Sequence, residues 1–132
     1  MKSDLIKTIV AICAIAAVIW GGYYLYNVNK YKKTINEIQL ESVNLNNIQD
    51  GKYDGKFGAD LIFAEVEVTV DDHKIKDIDL IRHKNERGQK AEAVIDEVIE
   101  KQTINVDTIS GATNSSKVIL KAIENALNNK AV

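Results

Sequence analysis

Residues 107–116 read DTISGATNSS and hold five hydroxyls around a Gly-Ala pair. A hydroxyl in such a setting can cap a helix, bind an anion or accept a phosphoryl group. Gly111 permits a tight or left-handed turn, and Asn114 or a neighbouring Ser is expected to cap the helix that follows. A helix N-terminus also presents N–H groups and the positive end of a dipole, which suits phosphate. Thr113 would stand at that mouth. These residues fit a capped turn and an anion site equally. The stretch GATNSSK lacks the second Gly of a P-loop before its Lys, and no G-x-S-x-G of a serine hydrolase occurs. The two histidines, His73 and His83, have no supporting cysteine set for a metal site.

The elements that must position this turn are legible as patterns. KYDGKFG places Tyr53, Gly55 and Phe57 on one side at period two. FAEVEVTV alternates Ala64, Val66, Val68 and Val70 inward with Glu65, Glu67 and Thr69 outward. KIKDIDLIR follows, and Asp72-His73 suits a two-residue hairpin turn. The strands predict an antiparallel meander with one buried face. GQKAEAVIDEVIEKQ then carries an apolar stripe of Ala91, Val94, Ile95, Val98 and Ile99, with Glu92, Asp96 and Glu97 facing water. SSKVILKAIENALNNK repeats Ile119, Ile123, Ala126 and Leu127 at helical spacing. Strands followed by helices predict an α+β domain, a small antiparallel sheet with two packed C-terminal helices. Ile104, Val106 and Ile109 are expected to anchor the connection, and Gln102 to cap the first of the two helices.

The 132-residue chain is 45% hydrophobic, and part of that lies in residues 8–26, TIVAICAIAAVIWGGYYLY. This uncharged run has the length of a bilayer-spanning helix, about 20 residues. Trp20, Tyr23, Tyr24 and Tyr26 crowd one end, as interfacial rings do. It predicts a single N-terminal transmembrane helix, with Cys13 as a small apolar membrane residue. The flanking lysines lean towards a cytoplasmic C-terminal domain. The expected organisation is a flank at 1–7, the span at 8–26, a juxtamembrane helix and linker at 27–49, a folded domain at 50–128 and a tail at 129–132. From Thr34 onward 12 Lys and Arg stand against 18 Asp and Glu, a net charge of −6. That argues against nucleic acid, whose binding rests on phosphate neutralisation.

DTISGAT, Asp107 to Thr113, resembles the D-x-x-[ST]-G-A-[ST] sequence of the FMN-binding domain family, which includes small electron-carrier subunits of bacterial Rnf and sodium-translocating quinone reductase complexes. DGKYDG at 50–55 resembles the family's opening strand, VEVTVDDHKIKDIDL its central hairpin and HKNERG at 83–88 its H-x-E-T-x-G region. The resemblance covers roughly residues 50–128. It implies FMN as cofactor, carried on Thr113 through a phosphoester that a separate flavin transferase makes from FAD and Mg. Asp107, Ser110, Gly111 and Ala112 match the rest of the recognition sequence. His83 and Glu86 fall in the loop that the family places near the flavin, although Asn85-Glu86-Arg87-Gly88 departs from the commoner form. The resemblance further implies an electron carrier, unidentified redox partners, and a soluble domain outside the cytoplasm, against the lysine count. The alternatives are a non-covalent FMN-binding sensory or regulatory module and a cofactor-free interaction domain.

Overall fold

The computed structural model describes residues 1–59, 62–84 and 89–128. The chain divides into two compact units, Met1–Asn36 and Glu37–Val132. The first is one helix, α1 (Lys2–Asn36), with Asp4 in its first turn and Lys33 in its last, each complementing the helix dipole. Its 35 residues extend well past the uncharged run, to about 50 Å at 1.5 Å per residue. It is long and apolar enough to cross a membrane. The exposed large apolar side chains among the described residues belong to the first 26 positions, with Ile81 the exception.

The second unit holds strands β1 (Gly51–Ala59), β2 (Ile62–Asp71) and β3 (Lys74–Lys84), then helices α2 (Ala93–Lys101) and α3 (Thr113–Asn128). The strands form one antiparallel sheet in the order β1-β2-β3, so the arrangement is α+β. Alternation along β2 buries Ile62, Ala64, Val66, Val68 and Val70. The residues between them face outward, where Lys52 pairs with Glu67 at 2.7 Å and Arg82 with Glu65 at 2.8 Å. Such exposed cross-strand pairs contribute under about 1 kcal/mol each. Asp72 and His73 turn the hairpin at φ 52° and 58°, as a type I′ turn requires. His73 does more than turn the chain. Its Nδ1 lies 3.0 Å from the Ile48 carbonyl oxygen, which ties the hairpin to the segment before β1.

Strand β3 departs from strict alternation. Val70 pairs with Ile75 but Thr69 with Asp77, and Val66 with Leu80 but Glu65 with Arg82. Lys76 and Ile81 are therefore extra residues, one per bulge, and each shifts the inward face by one position. Ile75, Ile78, Leu80 and His83 thus lie opposite the inward Val70, Val68, Val66 and Ala64. Without the bulges Asp77 would face the core. Ile81 is left 51% exposed.

Helix α3 crosses the inner face of β1 and β2 and also touches α2 and the short 3-10 helix Gln89–Glu92. Its predicted stripe is buried, and so are Val118, Leu120 and Ala122 outside that stripe. The helix also bonds to chain that precedes the sheet. Glu124, 3% exposed, accepts the Glu41 N–H at 3.0 Å, and Lys121 reaches both Glu124 at 2.8 Å and the Gln39 carbonyl at 3.0 Å. Residues 39–41 are strapped to α3 by these bonds, so the folded unit includes chain that precedes residue 50.

Gln102 ends α2 in the left-handed region, at φ 53°. Its Nε2 donates to the carbonyls of Ile99 at 2.6 Å and Ile75 at 2.8 Å, and its Oε1 accepts the Ile75 N–H at 2.8 Å. The side-chain amide caps the helix and continues the sheet past β3. Replacing it with alanine strands three backbone groups that are partly shielded from water. Gln102→Ala is expected to cost about 2 kcal/mol, a fall in Tm of about 8–16 °C for a domain of this size. Scanning calorimetry of the full chain checks it.

Candidate functional site

The hydroxyl-rich segment forms a tight turn followed at once by α3. The Ala112 N–H donates to the Ile109 carbonyl at 2.9 Å, with Ser110 and Gly111 between them. Gly111 has φ 79°, the value that the third position of a type II turn needs and that side chains resist. A Cβ placed at Gly111 would meet no atom of the described residues within 4 Å. Gly is therefore favoured for its backbone conformation, and among the described residues the space beside it is open.

The Ser116 N–H donates to the Ala112 carbonyl at 2.9 Å. This first intrahelical bond puts Ala112 at the cap position. The expected cap at Asn114 or a neighbouring Ser is not what forms, because those residues already lie inside the helix. Alanine offers the first-turn N–H groups no side-chain acceptor. Ser116 instead serves the turn itself. Its hydroxyl donates to the Ala112 carbonyl at 2.8 Å and accepts the Ile109 N–H at 3.0 Å.

Burial sorts the five hydroxyls. Ser115 and Ser116 are buried, at 6% and 0% exposure. Thr108 is half-buried, while Ser110 and Thr113 are exposed. Thr113 is the first residue of α3, and Asp107 is exposed at the start of the segment. Ser110, Gly111 and Ala112 thus lie in the turn, Asp107 precedes it and Thr113 follows it, and two of the five hydroxyls are left open to a ligand or a modifying partner. Ile104, 2% exposed, anchors the connection to the core.

His83 lies at the end of β3, opposite Ala64 on the inner face of the sheet. Its side chain is 3% exposed, and its Nδ1 is 3.3 Å from a Glu92 carboxylate oxygen. Glu92, expected to face water, is 44% exposed and also meets this histidine. The 3-10 helix that carries Glu92 packs against α3, so the His83 end of the sheet and the last helix share a neighbour. Glu86 lies outside the described residues. Sequence reasoning missed Ser116 as the staple of the turn and Glu92 as the partner of His83. A serine in the second turn of a helix is a weak hint, since its hydroxyl commonly bonds the carbonyl four residues back.

The phosphate end of a nucleotide fits this arrangement. The turn has open space beside Gly111, an exposed hydroxyl at Thr113, and a 16-residue helix whose cap carries no competing side-chain oxygen. A family model described as FMN-binding domain matches residues 63–128, which is half of the chain. No curated protein and no solved structure gives a significant match.

Proposed function

The chain belongs to the FMN-binding domain family, and on that premise we propose that it is a membrane-anchored electron carrier whose FMN is esterified to Thr113. FMN is the cofactor of the family, and when bound it supplies the redox chemistry; the protein supplies position and electrostatics. The observation that carries the proposal is the exposed Thr113 hydroxyl in the first turn of α3, directly after the Gly111 turn. Backbone N–H groups there favour the phosphate oxygens of an ester. Asp107, Ser110 and Gly111 form the exposed surface that a flavin transferase reads, with Ala112 buried behind them. In the transfer from FAD, the Thr113 oxygen forms the bond to phosphorus. The FAD pyrophosphate bond breaks, and adenosine monophosphate, the other half of FAD, leaves. His83, buried and held by Glu92, stands behind the wall that faces the ring. Helix α1 anchors the domain, which lies outside the cytoplasm and exchanges electrons with membrane-side redox partners.

The test is to produce the full chain with a flavin transferase and look for flavin fluorescence on a denaturing gel. Fluorescence is expected in the wild type, and its complete loss in Thr113→Ala. Because Thr113 is exposed, that substitution should move Tm by no more than a few degrees. Yellow protein that loses its colour on denaturation would replace the ester with non-covalent binding. Colourless protein would leave an interaction domain without cofactor.

A further inference from the structure

The Ser116 hydroxyl makes two hydrogen bonds that reach opposite ends of the acceptor turn. It accepts the Ile109 N–H at 3.0 Å and donates to the Ala112 carbonyl at 2.8 Å. Back-bonding to the carbonyl four residues earlier is ordinary for a helical serine. Accepting an N–H from outside the helix is not part of that habit. It makes Ser116 a bridge between the start of the turn and its end. The side chain is 0% exposed and stands on α3, so the bridge fastens the turn to the buried helix of the domain. With its donor and its acceptor both engaged, this hydroxyl is not itself open to modification.

Without Ser116, the turn is closed by the single backbone bond from Ala112 to Ile109 and is centred on a glycine. Group transfer to a hydroxyl needs the oxygen aligned with the breaking bond. A misplacement of about 1 Å can cost on the order of a hundredfold in rate. A residue that holds the turn rigid therefore acts on the reaction without touching the reacting atoms.

We propose that Ser116 is a positioning residue for flavin transfer, holding the Ile109–Ala112 turn so that the neighbouring Thr113 hydroxyl is presented ready for attack. The proposal rests on the Thr113 ester described above. In the step it governs, the Thr113 oxygen bonds to the phosphorus of the FMN half of FAD. The pyrophosphate bond breaks, adenosine monophosphate leaves with the bonding electron pair, and the hydroxyl proton passes to solvent or to a base of the transferase. Nothing is oxidised or reduced.

The test compares wild type, Ser116→Ala and Gln102→Ala full-length chains. The rate of covalent flavin incorporation is followed on denaturing gels, and hydrogen exchange at the Ile109 amide is measured before modification. Gln102 lies outside the turn and serves as a destabilised control. Incorporation is expected to slow at least tenfold in Ser116→Ala and to stay near the wild-type rate in Gln102→Ala. The Ile109 amide should be protected in the wild type and exchange faster in Ser116→Ala. Wild-type incorporation in Ser116→Ala overturns the proposal and leaves the ester standing. Equal slowing in both variants overturns it too, since the loss would then track stability. An Ile109 amide that is unprotected in the wild type overturns it even if Ser116→Ala does not fold. A wild type that takes no flavin overturns the ester and the proposal together.

Discussion

Replacing Gly55 with valine is expected to unfold the soluble domain at physiological temperature. Gly55 lies on β1, opposite Val66, where α3 crosses the sheet. A Cβ there would lie against the carbonyl oxygen of Ala122, the amide nitrogen of Ala126 and the Ala126 methyl. The first two are backbone atoms of a helix and cannot swing aside as a flexible side-chain tip could. The helix would have to lift from the sheet, and Val118, Ile119, Leu120, Ala122 and Ile123, each 0% exposed, are set by its seat. Overpacking a core costs about 1–3 kcal/mol when side chains adjust, and more when backbone must move. Against a total stability of about 5–15 kcal/mol, a loss above 3 is severe. Even Gly55→Ala should lower Tm by about 10 °C or more. Asp54→Ala, at the exposed neighbouring position, should stay within about 0.5 kcal/mol of wild type. Calorimetry of the three full-length chains decides this. A Gly55→Ala melt that matches wild type would mean that α3 does not approach β1 this closely.

Replacing Gly111 with valine is expected to cost function far more than stability. Here no atom of the described residues lies within 4 Å of an added Cβ, and φ is 79°. The penalty is conformational only, about 1–3 kcal/mol for a residue held in a sparsely populated region. A β-branched residue would relieve that strain by opening the turn, which moves Thr113 relative to Ser110 and Asp107. Covalent flavin incorporation should therefore fall at least tenfold while the domain stays folded. Gly111→Asn should keep stability near wild type, because asparagine visits positive φ at low cost. In-gel fluorescence and a melting curve on each variant separate the two effects. Full incorporation in Gly111→Val would show that the turn conformation is not what presents the hydroxyl.

The two glycines show where sequence reasoning stops. Period-two alternation placed Gly55 on one side of β1 with Tyr53 and Phe57, but only the packed helix shows that its missing side chain makes room for backbone. The Gly111 turn was legible from the residue type, since few residues tolerate the angle it adopts. Strand β2 could be read face by face because one face is buried along its whole length. Strand β3 could be read as a strand, but its inward residues depend on bulges at Lys76 and Ile81, which arise from pairing with β2. The stripe on α3 was visible, while the bonds that tie residues 39–41 to Glu124 and Lys121 are signalled by no local pattern.

The sequence by itself determined the apolar N-terminal helix, the order of strands and helices, the hairpin at Asp72-His73 and the motif from Asp107 to Thr113. Those features follow from local periodicity, residue conformation and a contiguous run of residue types. Only the tertiary structure decided which hydroxyls are open, that Ser116 staples the turn, that Glu92 meets His83, and that Gln102 extends the sheet at Ile75. Each of these joins groups that are distant along the chain or sets how far a side chain lies from water, and local pattern carries neither quantity.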